Sequence, residues 1–177
     1  MKIFPFLIFG VLVPALTLSA SAQTRRQSRI GVELGYTRFN SRQTSDTFGG
    51  NGISISPAFG SFRSGTKQGV TQPDFGLNIS RGNGNTLIIV PIGERYTKSL
   101  GEGAARPYVG ASLNLAPTYS KIQTLGLGGR TSLAVGGSAL AGINFGNRFN
   151  LEARYFALSK VRGYDISHFE FGAGLRF

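Results

Sequence analysis

The last ten residues of the chain alternate between two kinds of side chain. Every second position is apolar, at Phe169, Phe171, Ala173, Leu175 and Phe177, and the positions between them are His168, Glu170, Gly172, Gly174 and Arg176. A period of two is that of a β-strand, whose successive side chains point to opposite faces. Strands of roughly 9 to 11 residues can cross a bilayer at a tilt. The segment therefore predicts a strand with one apolar and one polar face.

The same alternation recurs along the chain, clearly at Ile30 to Tyr36 and Phe149 to Ala157 and more weakly at Val109 to Leu115. Segments rich in turn-forming residues separate the alternating runs. Eight candidate strands result: Ser28 to Phe39, Gly52 to Phe62, Val70 to Ser80, Asn85 to Lys98, Arg106 to Tyr119, Thr131 to Phe145, Arg148 to Ser159, and Ile166 to Phe177. The pattern predicts an all-β fold, an eight-stranded antiparallel up-and-down barrel.

The placement of the two faces favours a transmembrane barrel over a soluble one. A soluble barrel puts its apolar face inside, but the interior of eight strands is narrow and suits small side chains. Here the face opposite the large apolar residues carries glycine, serine, asparagine and charges, and the chain has 26 glycines. Closure also gives every strand edge a partner, which a bilayer requires. We expect a polar, filled lumen without a large pore. A periplasmic or secreted barrel that binds a small hydrophobic ligand is the alternative.

The N-terminus predicts export. Lys2 precedes an apolar stretch from Ile3 to Leu18, and the small residues Ala20, Ser21 and Ala22 follow it. This order of charge, apolar core and small-residue exit is typical of a secretory signal peptide. We therefore expect a cleaved signal peptide at residues 1–22, a barrel domain at residues 23–177, and a location in the bacterial outer membrane.

The chain is strongly basic, with 19 Lys and Arg against 8 Asp and Glu, a net charge of +11 and an isoelectric point near 10.7. Nucleic acid is a conceivable partner for such a charge, but there is no Lys/Arg-rich tract and the signal peptide conflicts with it. The topology instead divides the bases between two rims. Seven fall at the outer rim (Arg38, Arg42, Arg81, Lys121, Arg130, Lys160, Arg162) and eight at the periplasmic rim (Arg25, Arg26, Arg29, Arg63, Lys67, Lys98, Arg106, Arg148). Two basic belts fit anionic headgroups, so we expect outer-membrane lipids and lipopolysaccharide as partners.

Strand parity assigns eight polar residues to the lumen: Glu33, Asp74, Arg95, Glu152, Arg154, His168, Glu170 and Arg176. Four acids against three arginines are close to neutrality, and buried charges need partners. The sequence thus predicts an internal network of salt bridges. A gate or a proton-linked ion path is the alternative interpretation.

An enzyme that modifies lipid A is the other alternative. It would need a serine, a histidine and an acid on one face. His168 and Glu170 share a face, but Ser167 points the other way, and Ser112 or Ser138 would have to reach the histidine. The chain has no cysteine, one histidine and no nucleophile-elbow, Walker or zinc-protease motif. We expect no enzymatic activity, no cofactor and no metal.

Two segments carry a family resemblance: Arg-Pro-Tyr-Val-Gly-Ala-Ser-Leu at residues 106–113 and Phe-Gly-Ala-Gly-Leu-Arg-Phe at residues 171–177. In them the chain resembles the small bacterial outer-membrane β-barrels, the outer-membrane-protein-A-like and opacity-protein-like group with eight strands. The resemblance implies that the outward residues of the last strand form the recognition signal for the barrel-assembly machinery: Phe169, Phe171, Ala173, Leu175 and Phe177. We expect a monomer with a structural or surface-interaction role.

Three features depart from that family's pattern. The chain has no tryptophan, so the aromatic girdles are expected to consist of Tyr36, Tyr96, Tyr108, Tyr119, Tyr155 and the phenylalanines. The loops are expected to be short, which argues against a receptor-binding role. The fourth strand leaves its facing open, because Leu87 and Ile88 are both apolar and either Glu94 or Arg95 must lie toward lipid or an interface.

Overall fold

The alternating segments form strands in the structure, a computed structural model that describes residues 29–60, 69–123 and 126–177. The elements are β1 (Arg29–Phe39), α1 (Arg42–Phe48), β2 (Asn51–Gly60), β3 (Val70–Phe75), β4 (Leu77–Gly82), β5 (Asn85–Ile89), β6 (Ile92–Ser99), β7 (Ala105–Ile122), β8 (Leu127–Phe145), β9 (Phe149–Leu158) and β10 (His168–Arg176). The predicted signal peptide and the rim bases Arg25, Arg26, Arg63 and Lys67 lie outside the described residues.

The ten strands form the eight strands of one barrel, because two of the barrel strands are each interrupted. β3 and β4 form a single barrel strand that is interrupted at Gly76. β5 and β6 form a single barrel strand that is interrupted at Val90 and Pro91, because proline cannot donate a hydrogen bond to a ladder. Neighbouring barrel strands pair antiparallel, and β1 pairs with both β2 and β10. The predicted eight-stranded antiparallel up-and-down barrel is confirmed. We call the end that carries β1 Arg29 and β10 Arg176 the terminal end, and the opposite end the loop end.

One seam of the wall is less regular than the others. β2 pairs with β4 from Gly52 to Ile55, but no ladder joins β2 to β3 within the described residues. Pro57 on β2 and Pro73 on β3 face this seam without backbone N–H groups, which accounts for the missing ladder bonds. Within the described residues, the ladder of this seam is therefore confined to the pairs of Gly52 to Ile55 with β4.

The loop between β1 and β2 contains a short helix that the sequence did not predict. The side chain of Ser41 accepts a hydrogen bond from the Thr44 amide, as an N-cap does, and the helix ends at Gly49, which has a φ of 86°. β7 and β8 also extend further toward the loop end than predicted. The connection between β1 and β2, from residue 40 to residue 50, has close to the length that the predicted strands left for it. Within the described residues, no helix is long and apolar enough to span a membrane.

The outer surface of the barrel is an apolar belt. On β10 the exposed residues are Phe169, Phe171, Ala173 and Leu175, and on β7 Leu113 is 78% exposed. The fourth barrel strand, β5 with β6, keeps the same alternation of inward and outward side chains along its length. Leu87, Ile89 and Arg95 therefore face inward, and Glu94 faces outward. Glu94 lies between Pro73 and Leu113 of the neighbouring strands, so a carboxylate stands within the belt.

Candidate functional site

The barrel interior collects the polar residues that strand parity assigned to it. Side chains of Glu33, Asp74, Glu152, Arg154, His168, Glu170 and Arg176 are buried, and that of Arg95 is 11% exposed. The interior divides into a polar part toward the terminal end and an apolar part toward the loop end. Their geometry decides which of these residues touch.

A central cluster joins four of the charges, namely Arg95, Glu152, Arg154 and Asp74. Glu152 accepts from Arg95 at 3.2 Å and from Arg154 at 2.6 Å, and Arg154 also donates to Asp74 at 3.0 Å. Tyr108 donates its hydroxyl to Glu152 at 2.7 Å. Every member is thus paired, which offsets the cost of removing the charges from water.

Two residues outside the predicted set complete this cluster. Tyr108 was expected in an outer girdle, but it is 2% exposed and faces inward; its shared parity with Gly110 and Ser112 is the signal that places it there. Gln72, with its amide oxygen turned toward the guanidinium, accepts from Arg95 Nε at 3.0 Å. The expectation of Tyr108 as a girdle residue was wrong.

The remaining charged residues of the interior have other partners. Glu33 accepts from the Asn150 amide at 2.8 Å, and Arg176 donates to Asn144 at 2.9 Å, both nearer the terminal end. Glu170 lies beside Ser54 and Arg154. The interior therefore combines the salt-bridged central cluster with hydrogen bonds between charged and amide side chains.

Glycines on the inner face make room for these side chains. A Cβ at Gly172 would overlap the carboxylate of Glu33, and one at Gly174 would overlap the Asn150 amide. Close approach to a facing side chain is one of the reasons for glycine in a strand. The glycine excess of the sequence thus serves the packing of this narrow lumen as well as its turns.

The loop end of the interior is apolar, contrary to the expectation of a polar lumen throughout. We call this the apolar plug: Phe39, Phe48, Leu87, Ile89, Ala116, Ile122, Ala134, Phe156, Leu158, Val161 and Ile166. These residues form one buried cluster inside the barrel. The inward parity of Leu87 and Ile89 places them in this plug.

Helix α1 covers the plug and inserts Phe48, which is 1% exposed. Backbone oxygens of the helix accept from two side chains of the wall: Thr47 from Asn85 at 2.8 Å and Phe48 from Ser80 at 2.9 Å. Thr44 Oγ1 donates to the Asp165 carbonyl at 2.6 Å. The helix is thus fastened to the wall on one side and to the β9–β10 loop on the other.

His168 lies at the boundary between the polar and the apolar parts. Its ring stacks on Phe156 with centroids 4.8 Å apart and meets Phe39 edge-on at 5.7 Å. Nδ1 lies 2.9 Å from the Ile166 carbonyl oxygen and Nε2 lies 3.4 Å from the Asn78 amide nitrogen. The histidine is therefore held between aromatic rings with both of its nitrogens engaged.

The serines considered for catalysis do not meet this histidine. Ser112 and Ser138 bond to each other at 2.7 Å, and Asn114 donates to Ser112. Ser167 exchanges hydrogen bonds with the backbone of Leu158. None of the three has His168 as a hydrogen-bond partner within the described residues. Among those residues there is likewise no group of three or more His, Asp or Glu placed to hold a metal ion.

Comparison with known proteins identifies the fold. No family model and no curated protein matches the chain. Neisserial surface protein A matches with a TM-score of 0.61 at 20% identity, over 84% of this chain and 94% of that one. The N-terminal β-barrel domain of OprF from Pseudomonas aeruginosa matches with a TM-score of 0.50 at 15% identity, over 86% and 100%. Ail, the attachment invasion locus protein of Yersinia pestis, gives 0.48 at 12% identity, over 86% and 100%.

Proposed function

We propose that this chain, which has the fold of the eight-stranded outer-membrane β-barrels, is an outer-membrane protein with a structural or surface-interaction role. Its interior is closed in this proposal, and it acts neither as a large diffusion pore nor as an enzyme. Its surroundings are outer-membrane lipids and lipopolysaccharide, and it functions as a monomer.

The single observation that supports the proposal is the buried apolar cluster at the loop end. Eight strands leave an interior only wide enough for side chains. Here the apolar plug fills that interior and α1 covers it, with Phe48 and Phe156 each 1% exposed. Below the plug, Arg95 of β6 and Glu152 of β9 pair across the lumen. A hydrated ion would have to displace both layers.

The exterior supports a membrane location over the soluble alternative. Large apolar side chains such as Leu34, Ile53, Leu113 and Phe171 are exposed on the outer wall. A soluble protein rarely exposes a continuous apolar surface of this kind. Aromatic pairs flank it at the two ends, Tyr155 with Phe169 and Phe145 with Phe149. Girdles of this type mark the two interfaces of membrane barrels.

Conductance in a planar bilayer tests the closed interior, and gel mobility tests the barrel. We expect an unheated sample to run faster than a heated one and to partition with outer membranes, and the refolded protein to give no porin-like current steps. A sustained open conductance of the wild type would contradict the closed interior. A soluble mature protein, indifferent to detergent, would contradict the membrane location.

The last strand supplies a second proposal, which concerns assembly. The residues Phe169, Phe171, Ala173, Leu175 and Phe177 all point outward, and Phe177 is 77% exposed. This row is accessible to the barrel-assembly machinery before insertion. We expect deletion of Phe177 to lower the amount of folded barrel in cells. Phe149→Ala, which removes an outward aromatic of the adjacent β9, is the control; equal losses in both variants would contradict a terminal signal.

A further inference from the structure

The outer wall carries a cavity at the loop end, where β1 and β10 meet. It has a volume of about 420 Å³ and is lined by Arg38, Phe39, Asn40, Phe169 and Phe171. From these residues we infer a binding site for a phosphorylated, acylated lipid, the lipid A portion of lipopolysaccharide. The inference rests on the proposed function and on the topology predicted from the sequence, in which Arg38 belongs to the outer rim.

Arg38 is the anion-binding group of this site. It lies outward on β1, directly opposite Phe169 of β10 and Asn51 of β2. Its guanidinium is exposed and forms no ion pair or hydrogen bond with any other described residue. A guanidinium presents a fork of N–H donors that matches a phosphate. The nearest polar side chains are already engaged with each other, since Tyr36 donates its hydroxyl to Asn51.

The wall below Arg38 changes from aromatic to aliphatic in two steps. In the next row toward the terminal end, Tyr36 lies opposite Phe171 and Phe171 opposite Ala153. In the row after that, Leu34 lies opposite Ala173 and Ala173 opposite Leu151. Ala153 and Ala173 are thus small side chains among larger ones on this part of the outer wall.

This order of groups matches the order of groups in the proposed ligand. Arg38 lies at the level of the aromatic girdle, where headgroups lie, and the aliphatic rows below it lie at the depth of the acyl chains. Free phosphate would use only the cation. An acylated phosphate uses the cation and the outward rings of Phe169 and Phe171 together, so the occupant is a lipid.

Arg81 provides a matched control. It is also exposed and outward near the loop end, on β4, and it too forms no ion pair or hydrogen bond with another described residue. Its cross-strand neighbour is Thr86 in place of a phenylalanine. Removal of Arg81 changes the net charge of the rim as much as removal of Arg38 does, but it leaves the cavity intact.

The test measures the melting temperature of the refolded barrel in an uncharged detergent as a function of added lipid A, which gives an apparent Kd. Wild type is expected to bind lipid A in preference to phosphatidylcholine and inorganic phosphate. Arg38→Gln should weaken lipid A binding roughly fivefold, as for one basic group at an anionic surface, and Arg81→Gln less than twofold. Phe171→Ala should weaken it as well, and Arg38→Lys should retain part of it.

Three results would overturn the site: equal affinity of wild type and Arg38→Gln, an equal loss in Arg81→Gln, or inorganic phosphate that protects as well as lipid A. Heat-dependent gel mobility of each variant establishes that it is folded. Conductance of the same samples separates this inference from the proposed function. A closed barrel without selective lipid A binding refutes only the site, whereas an open wild-type barrel refutes the closed interior.

Discussion

Removal of the Arg154 guanidinium is the sharpest test of the central cluster. In Arg154→Met, Glu152 keeps Arg95 at 3.2 Å and the Tyr108 hydroxyl at 2.7 Å. Asp74 would keep no donor, because Arg154 donates the only hydrogen bonds that the Asp74 carboxylate receives within the described residues, at 3.0 and 3.3 Å. The cost of the substitution therefore falls mainly on Asp74.

The magnitude follows from the burial of that carboxylate. Asp74 is 5% exposed, and a buried charge left without its partner destabilises a protein by about 3 to 5 kcal/mol. Loss of the contact between Arg154 and the Phe156 ring, 5.2 Å apart, adds to this by roughly 0.5 to 1 kcal/mol. We therefore expect the free energy of unfolding to fall by about 4 kcal/mol.

A double-mutant cycle isolates the pair. Asp74→Leu combined with Arg154→Met removes both charges and leaves no orphan, so the double variant should be more stable than Arg154→Met by about 1 to 3 kcal/mol. Urea unfolding in detergent, followed by far-UV circular dichroism, gives these values; the chain has no tryptophan to report by fluorescence. A loss below about 1 kcal/mol in Arg154→Met, or strictly additive effects in the double variant, would refute the reasoning.

Three further substitutions, one of them with a matched control, test other parts of the barrel by the same unfolding measurement. Phe156→Ala empties part of the apolar plug and should cost about 3 to 4 kcal/mol; a loss under about 1 kcal/mol would mean that the plug is not tightly packed. Glu94→Gln removes a charge from the apolar belt and should stabilise the barrel in lipid by about 1 kcal/mol, and a destabilised variant would place Glu94 outside the hydrocarbon. Gly136→Ala brings a Cβ onto the Ala157 carbonyl oxygen and should cost about 1 to 3 kcal/mol, whereas Gly128→Ala, with open space around it, should be nearly neutral.

The alternation of the sequence determined the strands and the direction of their side chains, because both depend on neighbours two residues apart. This is why Glu33, Glu152, Glu170 and Arg176 could be assigned to the inner face from parity. The alternation also places Tyr108 on the inner face, but it was assigned to the outer aromatic girdle because it is aromatic.

The tertiary structure decided which interior groups meet and where the interior becomes apolar. Asp74 and Arg154 are 80 positions apart in sequence, and only the stagger of eight tilted strands brings them to one level. Helix α1 and the apolar plug depend likewise on loops folding back over the barrel mouth, where Phe48 meets strand residues distant in sequence such as Leu87. Local periodicity contains no information on such contacts, because they arise from the closure of the sheet and not from any one strand.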